Sequence, residues 1–116
     1  MAEQKPTISF QDFAKLDLRI ATVLEVRDHP NADKLLCMNI DIGGEQRQII
    51  AGLKGHYSPE QLLGAQIVVV TNLEPRKMRG MESQAMLLAA VFGEGDQQKV
   101  VIVTPEKQAP AGAAVS

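Results

Sequence analysis

Apolar and charged residues alternate along residues 16–27, and this alternation limits the fold more than any other feature of the sequence. The apolar side chains of one parity are Leu16, Leu18, Ile20, Leu24 and Val26, and only Thr22 interrupts them. In an extended strand, successive side chains point to opposite faces of the sheet. The segment therefore predicts one long, half-buried strand, which we expect to bend at Ala21 and Thr22.

Further strand-like segments and helix signals follow along the chain. Strands are predicted at residues 36–42, 46–51, 67–71, 86–92 and 100–104. Gly43 and Gly44 favour a tight hairpin because glycine accepts the positive φ angles of such turns. A short helix is predicted to begin after Ser58, since Pro59 suits the first helical position and Gln61 completes a capping box. A single helical turn is also expected near residues 10–14.

The order of these elements predicts an all-β fold with one short helix. We expect a five-stranded Greek-key barrel of the oligonucleotide/oligosaccharide-binding (OB) type, with an additional C-terminal strand. The alternative is an SH3-like small barrel, which normally lacks a helix between its third and fourth strands, so the helix favours the OB barrel. We predict one domain over residues 10–116, preceded by a flexible lead-in at residues 1–9.

The overall charge does not favour a nucleic-acid partner, because 12 basic and 14 acidic residues give a net charge of −2. Cys37 is the single cysteine and has no partner for an internal disulfide, which is consistent with a reducing compartment. The sequence holds no apolar stretch near the roughly 20 residues of a membrane helix, and its start is polar. These features predict a cytoplasmic protein that has no membrane partner.

The basic residues are nevertheless concentrated in one place, the loop predicted between the strands at 67–71 and 86–92. This loop carries Arg76, Lys77 and Arg79, bracketed by Pro75 and Gly80. A local cluster of cations on a loop is typical of an anion-binding site. The alternative is a solvated loop that is basic without binding anything.

In an OB barrel, the loop between strands one and two and the loop between strands four and five flank one binding face. Residues distant in sequence should then converge there. Asn31 and Ser83 would supply hydrogen bonds, and Lys34, Arg76, Lys77 and Arg79 would contact phosphates. Arg47 would extend this patch if its side chain faces the same way. Taken singly, Asn31 is equally typical of a turn, Ser83 of a loop cap and Met86 of a core.

The sequence gives no indication of catalysis or of a bound cofactor. His29, His56 and Cys37 lack the spacing of zinc ligands, so we predict no metal site. No glycine-rich phosphate loop with its lysine is present, and no acid–base pair is evident. We therefore expect a protein that is not an enzyme and carries no cofactor.

Three runs of sequence together resemble the tRNA-binding domain family. They are His-Pro-Asn-Ala-Asp-Lys-Leu at 29–35, Arg-Gln-Ile-Ile-Ala-Gly at 47–52 and Asn-Leu-Glu-Pro-Arg-Lys-Met at 72–78, the last followed by Gly80, Ser83 and Met86. The family includes the C-terminal domain of many bacterial methionyl-tRNA synthetases and free-standing bacterial structure-specific tRNA-binding proteins. It also includes the C-terminal half of the endothelial monocyte-activating polypeptide and its yeast relative. The resemblance covers nearly the whole chain, so the chain is similar either to a free-standing member or to a synthetase appendage.

The resemblance implies an OB fold that binds tRNA through its shape and backbone, with little regard to tRNA identity. It also implies a homodimer formed through residues 100–115, to which the lead-in could add contacts. An aminoacyl-tRNA synthetase is a further partner that the resemblance implies. Asn31, Lys34, Ser83 and Met86 match the family's binding residues, whereas Ala85 stands where the family usually has glycine. A related bacterial secretion chaperone binds peptides with a similar dimeric barrel. A peptide-binding chaperone is therefore the second hypothesis, and a pure dimerisation module is the third.

Overall fold

The structure is a computed structural model that describes residues 3–116 as a set of short antiparallel strands with two four-residue helices. The helices are α1 (Phe10–Phe13) and α2 (Pro59–Leu62), and a 3-10 turn spans Gly95–Gln97. The strands are β1 (Leu18–Asp28), β2 (Leu36–Asp41), β3 (Gln46–Ala51), β4 (Gln66–Val70), β5 (Arg76–Met78), β6 (Met81–Ser83), β7 (Met86–Leu87), β8 (Ala89–Phe92), β9 (Lys99–Ile102) and β10 (Ala114–Val115).

The main sheet has the strand order β3-β2-β1-β4-β7, and β10 pairs with β1 beside this path. The longest strand, β1, serves three neighbours: β4 over its first half, β2 over its second half, and β10 at Leu18 and Arg19. The helix α2 lies between β3 and β4 in the chain. A sheet in this order that curls until its ends meet is the barrel predicted from the sequence, and the OB-like fold is confirmed.

The barrel interior is filled by aliphatic side chains whose positions follow the predicted pattern in β2 and β4. Leu36, Met38 and Ile40 of β2 point into the core, and Cys37 between them is buried as well. All of β4 after Gln66 is buried, on both faces, as its unbroken apolar run predicts. The hairpin at Gly43 and Gly44 is confirmed by the positive φ of both residues.

The prediction of which β1 side chains face the core is wrong in the middle of the strand. Ala21 and Val23 belong to the interior core, whereas Leu24, predicted on the apolar side, is 38% exposed. The pairing of β1 with β2 shifts register between Val23 and Glu25, so that Leu24 forms a bulge. A bulge inserts one residue and reverses the side-chain parity that follows it. The register of the strand is therefore irregular at Leu24.

The segment predicted as one strand at 86–92 is divided between two sheets. β7 pairs with β4, whereas β8 pairs with β9 in a separate hairpin. Leu88 lies at the change of partner, where its N–H donates to the carbonyl oxygen of Val68 at 3.0 Å. A continuous apolar run gives no sign of such a change, since both strands favour the same residue types.

Both helical turns occur where the sequence predicts them, and α2 begins with its predicted cap. The Ser58 side chain accepts from the N–H of Gln61, and the Gln61 side chain accepts from the N–H of Ser58, which completes the capping box. Of the predicted lead-in, residues 3–9 are exposed and contain no helix or strand, and residues 1 and 2 lie outside the described residues. No helix within residues 3–116 is long and apolar enough to cross a membrane.

The C-terminal segment, for which no strand is predicted after residue 104, returns to the main sheet as β10. Before it, the N–H of Gly112 donates to the carbonyl oxygen of Ile20 at 2.7 Å, and the N–H of Ile20 donates to Ala113 at 2.9 Å. Gly112 has a φ of 89°, and a Cβ there would lie 2.7 Å from the carbonyl oxygen of Ile42. Both its backbone angle and this close approach require glycine.

We expect Gly112→Ala to destabilise the fold by about 2–5 kcal/mol, from the left-handed backbone angle and from overpacking against the β2–β3 turn. Gly55→Ala is the matched control, because Gly55 has a similar φ of 92° but open space around its Cβ position. It should cost only about 1–2 kcal/mol. Urea unfolding of both variants makes the comparison, and equal losses would show that the contact with the turn is unimportant.

Asp17 joins the start of β1 to the end of β4. Its carboxylate accepts from Arg19 Nε at 2.7 Å and from Thr71 Oγ1 at 2.8 Å. Its backbone N–H donates to Asn72 Oδ1 at 2.8 Å. The hydrogen bonds from Arg19 first, and from Thr71 second, lower the pKa of this carboxyl below its ordinary value of 3.8.

A carboxyl whose pKa is lower in the folded chain stabilises that chain while it is ionised. This contribution is complete above the ordinary value of 3.8 and is lost as the pH falls through the lower folded pKa. Asp17→Asn should therefore destabilise the protein at pH 7, and the difference from the unaltered protein should narrow on acidification below about pH 4. Urea unfolding at both pH values measures this. Glu106→Gln, on an exposed turn, is the control, and a pH-independent difference would contradict the assignment.

Candidate nucleic-acid interface

The predicted cationic loop is in fact a two-stranded hairpin, β5–β6, which we call the arm (residues 76–83). Its turn consists of Arg79 and Gly80, with φ angles of 53° and 91°. Positive φ at both central residues is the geometry of a tight hairpin turn that matches the twist of its strands. The sequence indicated a loop because Gly80 and Pro75 interrupt the apolar pattern, and three-residue strands are too short to show a period of two.

The arm exposes the three predicted cations, Arg76, Lys77 and Arg79, to solvent. The four ion pairs found within residues 3–116 involve none of them. Lys77 lies opposite Glu82 in the hairpin register. The arm is therefore a projection whose positive charges are available to an anion from outside the chain.

The tip of the arm meets the loop at residues 29–35, which joins β1 to β2. The two segments enclose a cleft of about 390 Å³, which we call the tip cleft, lined by Asn31, Ala32, Asp33, Lys34, Leu35 and Arg79. Three predicted contact residues, Asn31, Lys34 and Arg79, thus come together although they are distant in sequence. Two cations and an amide suit a phosphate oxygen, and the carboxylate of Asp33 in the same lining can accept from a neighbouring hydroxyl.

Three other predicted residues line a second, larger cavity on the inner side of the arm. This apolar groove of about 550 Å³ is lined by Ile50, Ala51, Leu73, Glu74, Arg76, Met78, Ser83, Ala85, Met86 and Leu87. Met86 is 48% exposed there, so a large apolar side chain remains open to a ligand. Arg76 and Glu74 are the charged residues of its lining.

Two of the predicted contacts are engaged within the chain itself. Ser83 is buried, and its hydroxyl accepts from the N–H of Ile50 and donates to the carbonyl oxygen of Ala85, each at 3.0 Å. The Arg47 guanidinium donates to the carbonyl oxygens of Thr71 at 2.6 Å and Gln84 at 3.3 Å. These side chains hold β3 against the base of the arm. Lys77 lines neither the tip cleft nor the groove.

Ala85, which replaces the glycine usual in the resembling family, fits its position without strain. Arg79 is the one non-glycine residue with positive φ within residues 3–116, so the backbone of Ala85 needs no glycine geometry. Its methyl group is buried in the core cluster and lines the groove. In this chain the side chain at position 85 packs in the core.

The sequence does not reveal the side-chain contacts that hold the arm to the barrel. On β6, the carbonyl oxygen of Glu82 accepts from Gln48 Nε2 at 2.9 Å, and the thiol of Cys37 lies 3.9 Å from the sulfur of Met81. Burial raises the pKa of the Cys37 thiol, an effect that the charge of Arg27 only partly offsets, so the thiol remains a protonated donor. On β5, the ring of His29 contacts the carbonyl oxygen of Met78. In the sequence, Cys37 is surrounded by apolar residues and His29 by turn residues, and neither setting indicates a contact with the arm.

The described residues show no arrangement suited to a metal ion. Between residues 3 and 116, no three His, Cys, Asp or Glu side chains are grouped as metal ligands. The groups that converge around the arm are cations, an amide, the carboxylates of Asp33 and Glu74, and methionine side chains.

Comparison with known proteins gives relatives over almost the full chain. A methionine–tRNA ligase of Pyrococcus furiosus is 54% identical over 108 residues, which is 93% of this chain and 14% of that ligase. The chain therefore spans about one seventh of such relatives.

Two solved structures match over their whole length. The methionyl-tRNA synthetase-related protein of Pyrococcus horikoshii has a TM-score of 0.85 and 30% identity, covering 97% of this chain and 100% of that one. The chaperone CsaA of Bacillus anthracis has a TM-score of 0.84 and 34% identity, covering 96% of this chain and 100% of that one. The family model described as a putative tRNA binding domain matches residues 18–114. With an OB-like barrel, a cationic arm and these relatives, the chain belongs to the tRNA-binding domain family.

Proposed function

We propose that this chain is a non-catalytic module that binds tRNA by its shape and backbone, with little preference for tRNA identity. The observation that carries the proposal is the arm, whose three exposed cations lack ion-pair partners within residues 3–116 and whose tip residue Arg79 adjoins Asn31 and Lys34. Folded RNA presents phosphates and 2′-hydroxyls on its outer surface, which cations and amides recognise without reading base sequence. Family membership supports the same ligand.

The contacts divide into a positively charged part and an apolar part. Lys34, Arg76, Lys77 and Arg79 would bind phosphates, and Asn31 would donate to a sugar or phosphate oxygen. Met86 would pack against an exposed ribose or base in the apolar groove. We assign Ser83 and Arg47 a supporting part, because their polar atoms already bind within the chain.

We further propose that the module works either as a free-standing protein or as an appendage of a methionyl-tRNA synthetase, and that it acts in the cytoplasm. The ligases that it matches are much longer than this chain, whereas the two solved relatives are covered completely. In either arrangement the module would raise the local concentration of tRNA without chemistry of its own.

A homodimer is part of this proposal. The β8–β9 hairpin exposes large apolar side chains, with Phe92 and Val101 on one face and Val91 on the other, and Val103 is exposed just beyond it. Ile8 in the lead-in and Phe10 at the start of α1 are exposed as well. A cluster of this kind on a small protein is typical of an interface. A second copy would cover it, and two arms on one dimer would bind one tRNA more tightly than a single arm does.

One observation favours a second candidate function, the binding of unfolded peptides. The groove on the inner side of the arm is lined mainly by apolar side chains, including the adaptable Met78 and Met86. The two functions differ in their response to salt. Binding through phosphates weakens steeply as salt rises, whereas apolar binding of a peptide holds or strengthens.

A gel-shift titration of unfractionated tRNA against duplex RNA of matched length, at two salt concentrations, tests the main proposal. We expect preference for tRNA and an affinity that falls with salt by roughly 0.7–0.9 powers per neutralised phosphate. If no shift occurs at low salt, the proposal fails and peptide binding becomes the function to test.

Reversing two charges of the arm should remove most of this binding. In Lys77→Glu/Arg79→Glu, repulsion replaces attraction at two exposed positions, so tRNA affinity should fall by about tenfold or more at low salt while the melting temperature changes little. Lys107→Glu is the control for the single variant Lys77→Glu. Lys107 is distant from the arm along β4. The N–H of Ala109, two residues after Lys107, donates to Gln66 Oε1 at the start of β4, whereas the arm follows the end of that strand. Equal losses in Lys107→Glu and Lys77→Glu would point to net charge alone.

Val101→Glu tests the dimer. The C-terminal segment pairs with β1 in its own chain, so a point substitution on β9 separates dimerisation from folding better than a truncation does. A carboxylate within the apolar patch should produce a monomer in analytical ultracentrifugation and weaken tRNA binding by about tenfold to a hundredfold through lost bivalency. Gln98→Glu, at the exposed position just before β9, should leave both the dimer and tRNA binding unchanged. A dimer that persists in Val101→Glu would exclude this hairpin as the interface.

A further inference from the structure

His29 is buried between the two segments that carry the candidate RNA contacts. Its side chain is 5% exposed, and both ring nitrogens have partners. Nδ1 accepts from the backbone N–H of Asn31 at 2.9 Å, and Nε2 lies 2.9 Å from the carbonyl oxygen of Met78. A carbonyl oxygen can only accept, and an N–H can only donate, so these partners determine the tautomer. The imidazole carries its hydrogen on Nε2 and donates it to Met78.

These two hydrogen bonds reach opposite sides of the tip cleft. Met78 directly precedes Arg79 at the tip of the arm, and Asn31 begins the part of the 29–35 loop that lines the cleft. The other attachments of the arm, from Gln48 and Cys37, reach β6. Within residues 3–116, His29 makes the one hydrogen bond from outside the arm to β5, the strand that carries Arg76 and Lys77.

We propose that His29 is a positioning residue for RNA binding, which fixes the spacing between the arm and the 29–35 loop before RNA arrives. The inference rests on the proposed tRNA-binding function and assigns His29 no contact with RNA. A hairpin held at one strand only would have to be ordered when RNA binds, and that ordering would reduce the affinity. Because the imidazole holds β5 as well, Arg79 and Lys34 face the cleft at a preset separation.

Two substitutions separate the hydrogen bonds of the ring. In His29→Asn, the amide oxygen replaces Nδ1 and still accepts from Asn31, but the shorter side chain does not reach Met78. In His29→Gln, the amide nitrogen replaces Nε2 and still donates to Met78, but the acceptor for Asn31 is lost. Each variant loses one buried hydrogen bond, so the two should have similarly reduced stability.

The inference predicts that their RNA binding differs. His29→Gln should bind tRNA with nearly the affinity and salt dependence of the unaltered protein. His29→Asn should bind about tenfold more weakly, because the arm must be ordered on binding. Its plot of log affinity against log salt should be shallower by roughly 0.7–0.9 if one phosphate contact is lost. Amide hydrogen exchange in the arm should be faster in His29→Asn than in His29→Gln.

A structural role alone would give a different result, since both variants would then lose affinity in proportion to stability, with unchanged salt slopes. That outcome overturns the inference, while loss of binding in Lys77→Glu/Arg79→Glu would still uphold the proposed function. If His29→Asn does not fold, His29→Gln decides the question, because a loss of tRNA affinity in that variant contradicts the role given to Met78. If the unaltered protein binds no tRNA, the proposed function fails and the role of His29 fails with it.

Discussion

Closure of the barrel depends on hydrogen bonds along one seam between β3 and residues 83 and 84 at the end of the arm. The N–H of Gln84 donates to the carbonyl oxygen of Gln48 at 2.8 Å, and Ser83 Oγ accepts from the N–H of Ile50. Arg47 crosses the same seam to Thr71 and Gln84. Buried polar groups are costly unless they are paired, so these bonds select one way of closing the sheet. The arm emerges from this seam, and its orientation follows from the fold.

Local signals in the sequence were sufficient for most strands and for both helical turns. Gly43 and Gly44 indicated their hairpin because few other residues accept its φ angles, and Ser58 with Gln61 indicated a helix start because capping acts over three residues. The bulge at Leu24 was not predictable, since it depends on the register with β2. The return of β10 to β1 was missed for the same reason, because the pairing joins residues almost a hundred positions apart.

The candidate site shows the same division between local and long-range information. Arg76, Lys77 and Arg79 were found because they are neighbours in sequence. The meeting of Arg79 with Asn31 and Lys34 followed only from assuming the barrel topology. What the sequence did not show is the direction of each polar group. The hydroxyl of Ser83 bonds to backbone groups of Ile50 and Ala85, and the imidazole of His29 bridges two segments. Serine and histidine side chains can also contact a ligand, so the residue type alone does not decide between the two roles. Such assignments require partner atoms and distances.

At the tip of the arm, the residue that would best stabilise the turn differs from the residue that supplies a positive charge. Arg79 occupies a left-handed conformation that costs an ordinary L-residue about 1 kcal/mol or more, and that asparagine or glycine accepts more readily. The residue that suits this turn is therefore not the residue that supplies the cation. Laboratory evolution for thermal stability alone would tend to replace Arg79, whereas selection for RNA binding would keep it. A thermostabilised descendant of this chain should accordingly be checked at its hairpin tip first.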